Sequence, residues 1–202
     1  GRSRRNTLML VHRFLEQSAR QSPESIALIE PHRSITYGEL DRMANQYAQL
    51  FLERGVRRGD PVVLAIENCF ELVGAYLGAM KAGGVAVPLP AGPRSDRLAK
   101  AIVDCGPRVC VIDAATAREL QPDSPLMDVP ALFVAGPPAA VPAPFTSLQN
   151  QVARCSADAP NVRCIDLDPW QPGAILAGTE PGRTFRSTDG GATWAEIGNV
   201  AA

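Results

Sequence analysis

Residues 61–88 read PVVLAIENCFELVGAYLGAMKAGGVAVP, and the parsing of this stretch decides the fold. The opening PVVLAI (61–66) is a continuous apolar run, the pattern of a strand covered on both faces. Asn68 and Glu71 then stand three apart and are expected to cap a helix that runs to Lys81. Gly83 and Gly84 stop it, because residues without a Cβ can take the backbone angles that turn a helix into a buried strand. VAVP (85–88) is that strand. A strand, a crossover helix and a second strand imply a parallel pair.

The same alternation extends in both directions. Toward the amino terminus, IALIE and SIT, separated by PHR, read as a β-hairpin. Thr36 and Glu39 form a Thr-x-x-Glu capping box, with Ile35 and Leu40 as the hydrophobic staple around it. Such a cap contributes about 1 kcal/mol. Leu40, Ala44, Tyr47, Ala48 and Phe51 trace the buried stripe of the helix that follows, and Gly55 ends it. Earlier still, Leu8, Val11, Phe14, Leu15, Ser18 and Ala19 fall on one helical face, closed by SPES. Toward the carboxyl terminus, Ser95 is expected to cap a helix reaching Cys105, with Gly106 as its stop. RVCVID (108–113) is a further strand, and Asp113 caps a short helix to Leu120. The fold class is therefore α/β: a parallel sheet of βα repeats with helices on both faces, over residues 1–121.

Beyond Leu120 the character changes. Seven prolines fall between Pro122 and Pro144, interrupted by ALFVA (131–135), which reads as one more strand. Proline at this density cannot sit inside a helix or a central strand, so residues 122–167 are expected to be a surface connection carrying that strand and a short helix near Ser147 to Arg154. From Gln171 the sequence turns to β-structure. AILAGTE, TFRST and ATWAEIG are strand-like, separated by PGR and DGG, and Asp-Gly is a strong hairpin signal. A three-stranded antiparallel meander is expected over residues 168–202.

Charge and composition narrow the partners. The 202 residues carry a net charge of −1, with 46% hydrophobic and 20% charged side chains. Such a balance gives no electrostatic reason to bind nucleic acid or an anionic membrane. No apolar run approaches the roughly 20 residues of a membrane helix. TLMLVHRFL is broken by His12 and Arg13 and lacks a cleavage pattern, so a cytoplasmic location is expected. Five scattered cysteines (Cys69, Cys105, Cys110, Cys155, Cys164) lack zinc spacing and read as reduced thiols packed as small apolar residues. The two histidines, His12 and His32, stand near no cluster that would make a metal or catalytic site.

Two motifs carry a resemblance. ITYGEL (35–40), followed by MKAGGVAVPLP (80–90), resembles the opening of the adenylate-forming enzymes: acyl-CoA synthetases, luciferases and the adenylation domains of peptide synthetases. The likeness covers about residues 8–165. It implies a lineage of AMP-forming ligases that activate a small carboxylic acid, acyl or amino, with ATP and Mg to an acyl-adenylate. It also implies a later Ser/Thr/Gly-rich phosphate loop closed by Pro-Lys-Gly. That loop is not found here. The chain has two lysines, Lys81 and Lys100, and none follows position 100.

The Gly-rich RSTDGGATW (186–194) does not replace the loop, because Asp189 puts a carboxylate where a polyphosphate would sit. Instead Ser187, Asp189, Gly191 and Trp194 match Ser-x-Asp-x-Gly-x-x-Trp and resemble the Asp-box hairpin of sialidases and other β-propellers. In that hairpin the carboxylate accepts backbone N–H groups across the turn and the indole packs beneath it. Thr36, Glu39, Gly83, Gly84 and the four Asp-box positions are thus structural motif residues. No catalytic, cofactor-binding or metal residue is assigned.

The reading is a ligase fragment that is inactive as this chain and holds no cofactor of its own. An alternative is a noncatalytic scaffold presenting the Asp-box meander, or a fusion or joining product without selected function. An apolar sheet surface left exposed would favour self-association.

Overall fold

The computed structural model of the chain describes residues 11–92, 96–158, 162–167, 175–179, 183–188, 193 and 195–199. These fall into two compact units, Gly1–Asp158 and Ala159–Ala202.

In the first unit, α1 (Val11–Gln21) leads to a hairpin of β1 (Ile26–Glu30) and β2 (Arg33–Thr36), followed by α2 (Tyr37–Glu53). The Thr36 side chain accepts the Glu39 N–H at 3.2 Å while the Glu39 carboxylate accepts the Thr36 N–H at 2.8 Å, so the capping box closes on both sides. Next come β3 (Pro61–Ala65), α3 (Phe70–Lys81), β4 (Val85–Pro88), α4 (Asp96–Cys105), β5 (Val109–Asp113), α5 (Ala114–Glu119), β6 (Ala131–Ala135), β7 (Thr146–Ser147) and α6 (Leu148–Val152).

The last five of these strands form one sheet in the order β4-β3-β5-β6-β7, each pair parallel. Strand alternation divides the core into two layers. Val62, Leu64, Val109, Val111 and Phe133 pack with Tyr47, Phe51, Ala75 and Leu148 on one face. Val63, Ala65, Cys110, Ile112 and Val134 pack with Leu98, Ile102, Ala117 and Leu126 on the other. Helices α2, α3 and α6 therefore cover one face and α4 and α5 the opposite one. Strands buried on both sides need the uninterrupted apolar runs read from the sequence.

The side chain of Lys81, at the end of α3, is 4% exposed and ties three helices together. Its ammonium lies 2.7 Å from Asp41 and 2.7 Å from the Asn45 side-chain oxygen, both on α2, and 3.4 Å from Glu16 on α1. The amide of Asn45 donates in turn to the Ala157 carbonyl at 3.0 Å.

Four expectations change. The predicted apolar face of the first helix is only partly used: Leu15 is buried with Leu40, Ala44 and Leu77, while Val11 and Phe14 stay 54% and 52% exposed. Contact with α2 and α3 through Leu15 and the Glu16–Lys81 pair turns the rest of that stripe outward. Asn68 does not cap α3. The cap position is Cys69, which makes no side-chain cap bond, and a distant carboxylate takes its place, as described below.

The Pro-rich stretch is not a separate connection. Its prolines flank β6 instead of entering it: Pro130 precedes Ala131 and Pro137 follows Gly136, so the strand keeps its N–H groups and pairs with both β5 and β7. Leu126 and Val129 from the same stretch are buried.

Among its described residues the second unit has four strands where three were expected. β8 (Val162–Leu167) pairs with β9 (Ile175–Thr179), followed by β10 (Arg183–Ser187) and β11 (Ala195–Asn199), all antiparallel, in the order β11-β10-β9-β8. The run VRCIDL, which the resemblance assigns largely to the α/β part, supplies the extra strand.

Candidate functional site

An open parallel sheet binds ligands in the crevice beyond the carboxyl ends of its strands, where successive crossovers leave in opposite directions. In the order β4-β3-β5-β6-β7 that point lies between β3 and β5. The chain leaves β3 into α3 on one face and leaves β5 into α5 on the other. An anion bound here would rest on the first N–H groups of those two helices.

At each helix start a carboxylate of the chain itself already accepts one of these N–H groups. At α3 the Phe70 N–H donates to Glu30 Oε1 at 2.7 Å, across 40 positions of sequence. Arg33 holds that carboxylate in place, with its Nε 2.9 Å from Glu30 Oε2. A terminal amino group of Arg33 donates at 3.1 Å to each oxygen of Glu71. The same guanidinium lies 4.4 Å above the centre of the Phe70 ring, a cation–π contact. At α5 the Asp113 carboxylate accepts the Thr116 N–H at 2.6 Å.

These partners shift the groups' acidities. Burial pushes the Glu71 carboxyl upward, but hydrogen bonds from its own N–H, Arg33 and the Cys69 thiol outweigh it and leave it below the ordinary value. The Arg33 guanidinium is raised by its hydrogen bonds to Glu30 and then Glu71. Burial pushes Cys69 up to about 11 and Cys110 up to about 12. Both thiols are therefore protonated at neutral pH and poor nucleophiles.

The described residues that immediately follow these strands include Glu67, Asn68, Leu89, Ala114 and Gly136, and none is lysine or arginine. The nearby Arg33 is committed to two carboxylates. A polyphosphate placed here would face the Glu67 and Asp113 carboxylates, and a carboxylate already caps the start of each helix. Nor do three His, Cys, Asp or Glu side chains gather there as a metal site requires, among the same residues.

The structural motif residues lie apart from one another. Thr36 and Glu39 start α2. Gly83, at φ 83°, turns the chain out of α3, and its carbonyl accepts the Gly59 N–H at 2.9 Å. A Cβ on Gly84 would sit 3.0 Å from the Asp60 carbonyl, so the glycine allows the backbones to approach. Ser187 is buried at the end of β10. Asp189, Gly191 and Trp194 lie outside the described residues, as does Ser95 before α4. Sequence reading missed Glu30, Arg33 and Lys81. The first two act across long sequence separations, but a lone lysine closing the apolar helix FELVGAYLGAMK was a visible anomaly.

Comparison with known proteins places this architecture. The AMP-binding enzyme family matches residues 15–174. Malpinin synthetase of Mortierella alpina is 34% identical over 111 residues, 55% of this chain and 1% of that protein. Bacitracin synthase 1 of Bacillus licheniformis is 30% identical over 114 residues, 56% of this chain and 2% of that protein. Among solved structures, a fatty acyl-CoA synthetase of Mycobacterium tuberculosis superposes with a TM-score of 0.62 at 26% identity, over 83% of this chain and 34% of that one. The chain thus spans a very small part of those two synthetases and about a third of the acyl-CoA synthetase. Its parallel sheet covered by helices on both faces matches the acyl-CoA synthetase α/β subdomain, and with the match running through both sequence motifs the chain belongs to the AMP-binding enzyme family.

Proposed function

We propose that this chain is the α/β foundation of an AMP-forming ligase, an enzyme that activates an acyl or amino acid with ATP and Mg to an acyl-adenylate, and that the chain by itself does not carry out that reaction. The family match, the malpinin and bacitracin relatives and the acyl-CoA synthetase likeness support the lineage. The observation that carries the inactivity is the self-capped crevice: Glu30 and Asp113 occupy the helix starts on which phosphates would rest. The residues given to α2, α3 and the sheet serve packing. The small carboxylic acid belongs to the complete enzyme, which we place in the cytoplasm. Among the described residues no helix is long and apolar enough to cross a membrane.

The test is ATP–pyrophosphate exchange on the purified chain over a panel of fatty, aryl and amino acids. The expected result is exchange at the background of a no-enzyme control. Robust exchange with any acid would overturn the inactivity.

A second reading concerns the carboxyl-terminal unit. Its four sequential antiparallel strands have the make-up of a propeller blade, and the buried Ser187 opens the Asp-box pattern completed by Asp189, Gly191 and Trp194. We read this unit as one Asp-box repeat that presents a hairpin to a partner. With Trp170 replaced by phenylalanine, Trp194 should fluoresce as a buried indole and lose that character on Asp189→Ala. Emission typical of a water-exposed indole in the parent would refute the Asp box.

A further inference from the structure

We propose that the concavity at the amino-terminal edge of the five-stranded sheet binds a small zwitterion with an apolar body. This cavity of about 600 Å³ lies beneath the first residues of β3, β5 and β6, at the opposite end of the sheet from the self-capped crevice. Its volume is in the range of small-molecule sites. It does not depend on the ligase reading above.

Four charged side chains line it: Arg57, Arg108, Asp60 and Asp128. Each has hydrogen-bonding capacity left over. Arg108 donates through Nε to the Arg54 carbonyl at 3.1 Å, which leaves its two terminal amino groups uncommitted. Asp60 accepts the Arg57 N–H through Oδ2 at 2.8 Å, which leaves Oδ1. The Arg57 guanidinium and the Asp128 carboxylate meet no partner among the described residues. Between these charges stand Ile102, Val103, Val129 and Pro107. Val103 is 69% exposed, an apolar side chain that gains from being covered.

The charge pattern selects the ligand. A simple anion would be attracted by two guanidinium groups but repelled by two carboxylates, and a simple cation the reverse, so neither gains a net field. A molecule with one charge of each sign, joined by an apolar body, satisfies both pairs and covers Val103. Free apolar amino acids and their dipeptides have this chemistry.

Leucine and leucyl-leucine, titrated into the full chain and followed by amide chemical shifts, test the proposal. Saturable binding is expected, with shifts confined to the segments around residues 55–60, 102–108 and 125–130. Leucine amide and N-acetyl-leucine, each lacking one charge, should bind about tenfold more weakly, the loss expected when a charged hydrogen-bond partner is removed. Arg108→Gln and Asp128→Asn should weaken leucine binding similarly. These residues are exposed, so the melting temperature serves as a control on the fold. Equal affinity for leucine and its two analogues on the unaltered chain would overturn the proposal, as would the absence of saturable binding. Binding that both variants leave unchanged would overturn it too.

Discussion

Replacing Gly78 by alanine should lower the stability of the α/β unit by about 3 kcal/mol, the upper part of the range for forcing an extra carbon into a packed core. Helices α2 and α3 pack closely at this point. A Cβ on Gly78 would stand 2.5 Å from the Tyr47 Cβ, 2.9 Å from the Ala44 carbonyl oxygen and 3.1 Å from the Ala48 nitrogen. Two of these three atoms are backbone and the third is fixed to it, so the helices themselves must separate. Alanine's better helix propensity returns about 1 kcal/mol and does not close the gap.

Gly74, one turn earlier, is the internal control. There the nearest obstacle is the Met43 sulfur at 2.6 Å, followed by its Cγ at 2.8 Å and the Tyr47 ring at 3.0 Å. The thioether can swing away, so Gly74→Ala should cost much less. Thermal melts of the two variants beside the parent decide the matter. A Gly78→Ala chain as stable as the parent would show that the crossing is loose.

Lys81→Met should be comparably damaging, by about 3 kcal/mol, the low end for breaking a buried ion pair. The loss is less the attraction itself than what remains. Asp41 and Glu16, with side chains 23% and 18% exposed, would each lose their contact with the ammonium, and the Asn45 oxygen would lose its donor. Pairing the change with Asp41→Asn removes most of the stranded charge and should recover part of the stability. Urea unfolding of the single and double variants measures both effects. If Lys81→Met alone leaves the midpoint unchanged, the network contributes nothing to the fold.

What was legible in the sequence was local. The Thr36–Glu39 box, the Asp113 cap and the apolar runs of β3 and β5 are set by residues within four positions of one another, and pattern reading found each. The cap on α3 was not legible, since Glu30 lies 40 positions from Phe70 and the nearer Asn68 offered a ready local substitute. β6 was half legible. ALFVA is visibly a strand, but the prolines around it argued for a surface connection, and only pairing with β5 shows that they end the strand without entering it. The fourth strand of the second unit was hidden for another reason: VRCIDL matches the ligase resemblance and the meander equally well. The α2–α3 crossing lay in plain view as Gly74 and Gly78, spaced one helical turn apart, yet glycine spacing in a helix signals close approach only when the facing helix is known.

The double burial of β3 and β5 raises a question of alignment. In a half-buried strand, sliding by one position drives polar groups inward and is rejected at once. Val62 to Ala65 and Val109 to Ile112 are all at most 1% exposed, so a slip there would merely swap one greasy surface for another. Discrimination must come from the ends. Asp60 stands just before β3 and Asp113 closes β5, and neither carboxylate can be drawn inside without heavy desolvation. Two acidic bookends thus do the proofreading that an alternating pattern performs elsewhere, and neutralising them would loosen the frame while leaving every apolar contact between the strands in place.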